Sequence, residues 1–95
     1  MAYQLVYHPA VVSDDLPLIN RNLQARICRA IEQRLGTEPT RYGEPLRYQL
    51  KGLWKLRVGD YRVVYQVVGD EIWIFRIDHR KDVYGGLFSR VTWRP

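Results

Sequence analysis

Apolar residues in the first half of the chain recur every three or four positions, and from Leu46 onward they alternate with polar ones. The first pattern predicts helix and the second predicts strands. "YQLVY" (Tyr3 to Tyr7) alternates well enough for a strand of its own, and His8-Pro9 punctuates it. A short helix is expected from Pro9 to about Asp15, proline being well suited to a first turn. Ile19, Leu23, Ile27, Ala30, Ile31 and Leu35 then share one helical face, with Asp15 as the expected N-cap and Gly36 as the expected stop. Residues 37–45, with two prolines and a glycine, read as a loop.

"LRYQLKG", "WKLRV", "YRVVYQVV" and "EIWIFRID" read as strands. The last three are joined by Gly59-Asp60 and Gly69-Asp70, two-residue hairpin signals in which glycine supplies a positive φ. The predicted class is α+β: an antiparallel β-sheet of about four strands with two N-terminal helices packed on one face, in one domain spanning residues 1–95. Simple counting across Gly69-Asp70 puts Arg62 on the face of Trp73, Phe75 and Ile77, so a bulge or a longer loop is expected there.

Composition narrows the function classes. An apolar fraction of 46% over 95 residues is that of a chain that folds, with a modest core. Fifteen Lys and Arg against ten Asp and Glu give a formal charge of +5, which favours acidic or polyanionic partners. Cys28 is the single cysteine, and with only His8 and His79 beside it no zinc spacing exists. No metal or other cofactor is expected. With no secretory pattern at the N-terminus and no run of eighteen apolar residues, the expectation is a soluble cytoplasmic protein without a membrane partner.

The charge is concentrated. In "LWKLRVGDYRVVY" a hairpin turning at Gly59-Asp60 sets Arg57 opposite Arg62, with Lys55 on the same face. Like charges opposed across strands cost about 0.2–1 kcal/mol, so folding alone does not ask for them. Trp54, Leu56, Val58, Val63, Tyr65 and Val67 form the other, apolar side, expected to meet the helices. Asp60, Asp78 and Glu44 are the carboxylates placed to neutralise the cations. A second cluster, "DHRKDVY" (Asp78 to Tyr84), brings Arg80 to the same region with His79 and Tyr84 at its margin, and Lys51 and Lys81 are further candidates for substrate contact. Such an inventory suits RNA scission by the RNA's own 2′-hydroxyl: a base takes the 2′ proton, cations stabilise the five-coordinate phosphorus, and an acid protonates the departing 5′ oxygen. Arg21, Arg26, Arg29 and Arg34 line the polar face of the long helix, either as a solvated surface or as a seat for an acidic partner.

"PLRYQLKGLWKLR", "LRVGDYRVVYQV" and "HRKDVY" resemble the RelE/ParE superfamily of bacterial type II toxins, the RelE branch in particular, and the likeness runs from "YQLVYHP" through Tyr84. The resemblance implies a RelE-like, microbial-RNase-like fold. It also implies a metal-independent endoribonuclease, an mRNA interferase that cuts mRNA in the A site of the 70S ribosome. Such a toxin is held inactive by an acidic, RelB-like antitoxin in a hetero-oligomer. By motif, Arg57 and Arg62 would hold the scissile phosphate and its neighbours, and Arg80 would stabilise the transition state or help protonate the leaving oxygen. Lys55 would be a cation or base, Tyr84 would stack on or orient a nucleotide, and His79 would be a candidate base. The chain departs from the pattern at Leu53, where RelE-type sites can carry a second lysine; Lys51 or His79 is the candidate replacement. Two other classes share the inventory: a ParE-like inhibitor of DNA gyrase and a non-catalytic basic RNA-binding module. Gly85-Gly86 weakens any helix continuing from Tyr84, so residues 85–95 are expected to pack loosely or to rearrange with a partner.

Overall fold

The computed structural model describes residues 2–95. Five strands form, β1 (Gln4–Tyr7), β2 (Glu44–Pro45), β3 (Trp54–Val58), β4 (Tyr61–Val68) and β5 (Glu71–His79), and they lie in one sheet in the order β1-β5-β4-β3-β2. Helical turns at Val11–Asp15 and Leu16–Leu18 lead into α1 (Arg21–Ala30), which a wider π-helical turn, Ile31–Leu35, carries on to Gly36. Two short helices complete the chain, α2 (Pro39–Tyr42) and α3 (Leu87–Arg90).

The α+β class holds, with five strands where about four were expected. One pairing is also not antiparallel: β1 runs parallel to β5, from Gln4 opposite Glu71 to Tyr7 opposite Ile74. Both expected hairpins form, with Gly59 and Gly69 at φ of 59° and 61°, a region glycine enters without steric penalty. "LRYQLKG" is not a strand. Its leucines pack as a turn would place them: Leu46 and Leu50 meet the core, Tyr48–Leu50 form a 3₁₀ turn, and the Leu46 amide bonds the Leu53 carbonyl to close the loop.

The expected bulge exists, within the strands and not at the turn. Val64 pairs with Arg76 and Tyr65 with Ile74, so Phe75 is an extra residue in β5. The shift lets Ile74 and Ile77, three residues apart, both face α1 while Phe75 faces the other way. Two apolar clusters result, one on each side of the sheet. The larger joins Ile27, Ile31 and Leu35 to Leu56, Val63, Tyr65, Ile72, Ile74 and Ile77. The smaller, Leu53, Val64, Phe75, Val83 and Leu87, lies on the opposite face under the 46–53 loop and the C-terminal segment.

Two expectations at the chain's ends are corrected. Asn20, not Asp15, caps α1, its side-chain oxygen accepting from the Asn22 amide at 2.8 Å. Asp15 is instead buried in a bidentate pair with Arg90, at 2.6 and 2.9 Å. The pair sits where β5 runs past the end of β1: Asp15 accepts from the Ile77 amide and Arg90 donates to the Phe75 carbonyl, so the two side chains serve this edge as a strand would. The C-terminal segment is therefore docked, not loose. Leu87 is fully buried and Trp93 packs against His8, Trp73 and Phe75.

Candidate functional site

The hairpin of β3 and β4 sets Arg57 directly opposite Arg62, as its two-residue turn requires. Lys55, opposite Val64, extends the row on the same face. Among the described residues no carboxylate comes within ion-pair distance of any of the three. Asp78 stands opposite Arg62 in the register, but Arg76 takes it at 2.9 Å and its other oxygen accepts from the His79 amide. Asp60 lies 3.8 Å from Arg80. Glu44 stands opposite Lys55 without forming an ion pair. Asp78 and Asp60 are thus engaged elsewhere and Glu44 forms no ion pair, so the Lys55, Arg57 and Arg62 charges stay available to a ligand.

Arg62 does have local partners: its guanidinium donates to the Gly59 and Tyr61 carbonyls, each at 2.9 Å. These bonds hold it at the tip of the hairpin. Arg80 reaches the same tip, because its amide bonds the Asp60 carbonyl. The chain then turns back over the sheet, where Val83 and Leu87 sink into the smaller cluster, the Arg76 guanidinium meets the Asp82 carbonyl and Tyr84 stays 40% exposed.

His79 is not brought to the row. It pairs with Tyr61, whose side chain belongs to the α1 side of the sheet, and its ring lies edge-on to the Tyr61 ring, 5.8 Å between centroids. Its Nδ1 accepts from the Lys81 amide. The bulge decides this, because it fixes which residues of β5 share a face with Arg62. Lys81 is exposed in the loop after β5, and Lys51 is exposed at the end of the Tyr48–Leu50 turn. Leu53, the departure from the family pattern, is a core residue of the smaller cluster. Lys55 is therefore the one amine that the strand register itself places in the row. The buried phenols do not substitute: burial pushes Tyr7 up to about 12 and raises Tyr65 as well, and Tyr65 donates to the Pro39 carbonyl at 2.6 Å.

Arg76 was missed in the sequence. The signal was a lone cation two residues before Asp78 in an otherwise apolar strand, and it proves to be what withdraws Asp78 from Arg62. A second cationic feature flanks the row. Arg26, Arg29, Arg34 and Arg57 line a groove of about 220 Å³ between α1 and the end of β3, with no carboxylate in its lining. It exists because β2 covers only Trp54 and Lys55, leaving the outer edge of β3 without a strand from Leu56 on.

The model of the ParE toxin of the type II toxin-antitoxin system, parDE, matches residues 5–84. The chain is 42% identical over 52 residues to Toxin RelG of Mycobacterium tuberculosis, covering 53% of this chain and 60% of that one. It is 38% identical over 64 residues to Toxin RelE of the same organism, covering 64% of this chain and 66% of that one. The matches thus span somewhat under two thirds of these relatives' length. Among solved structures, the toxin-antitoxin complex RelBE2 of M. tuberculosis superposes with a TM-score of 0.78 at 29% identity, over 84% of this chain and 100% of that one. A free-state mutant of E. coli toxin RelE shares the fold, with a TM-score of 0.72 at 15% identity over 97% and 96%. The model match over residues 5–84 shows that the chain belongs to the ParE toxin family of type II toxin-antitoxin systems, and the relatives and solved structures it is similar to are RelE-type toxins.

Proposed function

We propose that this protein is the toxin of a type II pair, an endoribonuclease that cuts mRNA in the ribosomal A site by attack of the RNA's own 2′-hydroxyl. The single observation that carries the reading is the Arg57–Arg62 pair, opposed across two strands and free of any carboxylate partner among the described residues. Two arginines opposed in the strand register suit a phosphate that gains negative charge as its fifth oxygen arrives. Arg57 and Arg62 bind the scissile phosphate, and Arg80, at the hairpin tip, stabilises the departing 5′ oxygen. Lys55, in the row, takes the role of base or of a further cation. Tyr84 stacks on a nucleotide, Lys51 and Lys81 contact the strand on either side, and His79 acts at the margin by way of the loop it anchors.

The partner is an acidic antitoxin. The relatives include toxin-antitoxin complexes, and the arginine groove between α1 and β3 offers this chain's own seat for carboxylates. Because Arg57 lines both the groove and the row, a carboxylate bound in the groove would also draw Arg57 away from RNA.

A gyrase-inhibitor reading is favoured by one observation: with His79 on the α1 side and Leu53 in the core, the row holds a single amine, and an inhibitor needs no base. Purified protein added to translating ribosomes, with the mRNA mapped by primer extension, tests the proposal. Scission within A-site codons, lost in Arg57→Ala, is expected. Intact mRNA together with gyrase-dependent DNA breaks would overturn it.

A further inference from the structure

Tyr48 is 88% exposed and its backbone φ is +58°. Among the described residues it is the one non-glycine residue in the left-handed region, where a β-carbon crowds the following carbonyl. A large aromatic ring held in water on strained backbone serves neither packing nor turn formation. Its loop is nevertheless firmly built: the Leu50 amide bonds Arg47, the Lys51 amide bonds Tyr48 and the Leu53 amide bonds Leu50. Leu46 and Leu50 anchor the loop on the smaller apolar cluster, beside Val64, the residue opposite Lys55. The loop carrying Tyr84 is anchored on the same cluster through Val83 and Leu87. Two exposed tyrosines thus rise from loops on one apolar floor, on the face that bears Lys55, Arg57 and Arg62, and Tyr48 is flanked by exposed Arg47 and Lys51.

We propose that Tyr48 is a second base-stacking platform, holding an unpaired nucleotide of the RNA strand at the Lys55 end of the cationic row. The inference rests on the RNA-cleaving reading above and adds a residue to it. Cations that track phosphates, alternating with aromatic rings that take bases, are the usual means of holding a single strand. The spare strain fits a residue kept for contact, since glycine or asparagine would suit this backbone better.

The test measures binding of the full chain to ribosomes programmed with an mRNA whose A-site nucleotides carry 2′-methoxy groups, so that it binds without being cut. Tyr48→Gly should weaken binding at least about fivefold, and Tyr48→Trp should retain it. Tyr48→Asn, which also accepts the left-handed region, should match the glycine variant, and neither should lower the thermal midpoint. An abasic nucleotide placed at each position in turn should find one position where wild type loses affinity and Tyr48→Gly loses no more. A Tyr48→Gly loss that is the same on every abasic mRNA would place the ring against another part of the ribosome and overturn the inference. So would unchanged mRNA binding with weakened binding of an acidic partner. If Arg57→Ala weakens binding and Tyr48→Gly does not, stacking falls while the RNA site stands. If neither does, both readings fall.

Discussion

At the residue scale, the two opposed arginines are not equivalent. Arg62 is tied to two backbone carbonyls, each bond contributing about 0.5–1.5 kcal/mol net, while repulsion from Arg57 costs about 0.2–1 kcal/mol. Arg57 is exposed and has no side-chain hydrogen bond among the described residues. Arg57→Ala should therefore leave the thermal midpoint unchanged or raise it, and Arg62→Ala should lower stability by about 1 kcal/mol, both measured by thermal and urea unfolding. Both should abolish mRNA cleavage. Full cleavage by Arg57→Ala would remove it from the site. His8 gives a pH signature. Burial lowers its pKa below the ordinary 6.5, with Arg90 adding to the fall and Asp15 opposing it, and its Nδ1 accepts from the Ala10 amide. A depressed folded value means the unfolded chain binds more protons below about pH 6.5, so the contribution is present above that pH and lost on acidification. The thermal midpoint should fall between pH 7 and 5.5, less steeply in His8→Gln; an equal slope in the variant would assign the fall to other groups.

At the scale of elements, the junction of β5 with the C-terminal segment adds one buried ion pair to its apolar contacts. Removing one partner of a buried pair leaves an uncompensated charge and costs about 3–5 kcal/mol. Arg90→Leu strands Asp15 with the Ile77 amide as its remaining partner, and urea unfolding should show a loss of that order. The His8 titration followed by NMR should shift upward in the same variant, because one cause of its depression is gone. A His8 titration that stays in place would show that Arg90 does not act on it. The turn after α2 makes a steric demand of its own: a β-carbon on Gly43 would lie 1.7 Å from the Tyr65 hydroxyl oxygen. Gly43→Ala should therefore displace a fully buried tyrosine and destabilise by about 2 kcal/mol or more, checked by urea unfolding.

For the whole molecule, two cationic features, the arginine face of α1 and the sheet row, meet at Arg57. An acidic antitoxin seated in the groove between them would be attracted through partly exposed charges, screened over about 8 Å at physiological salt. Calorimetry of the complex with the protein encoded beside this gene should show affinity falling as salt rises, and Arg26→Ala with Arg29→Ala should flatten that dependence. A salt-independent complex unaffected by the double substitution would move the seat elsewhere. No helix among the described residues is long and apolar enough to cross a membrane.

What the chain's order of residues determined by itself is local. The period of three to four placed Ile27, Ile31 and Leu35 on one face, and the two-residue turn at Gly59-Asp60 set Arg57 against Arg62, because turn length dictates register. The motifs around these arginines also carried the family. What the tertiary structure decided depends on residues far apart in the chain. The extra residue at Phe75 exchanged the faces of the β5 residues beyond it, sent His79 to the α1 side and set Asp78 opposite Arg62. Asp15 looked like a helix cap because nothing nearby in sequence reveals Arg90, 75 residues away. "LRYQLKG" alternated like a strand, but β2 is the segment that pairs with the start of β3, and the leucines of "LRYQLKG" found the smaller core instead. Alternation and turn chemistry act over a few bonds. Which face a side chain finally occupies is settled by competition among distant surfaces for the same apolar contacts.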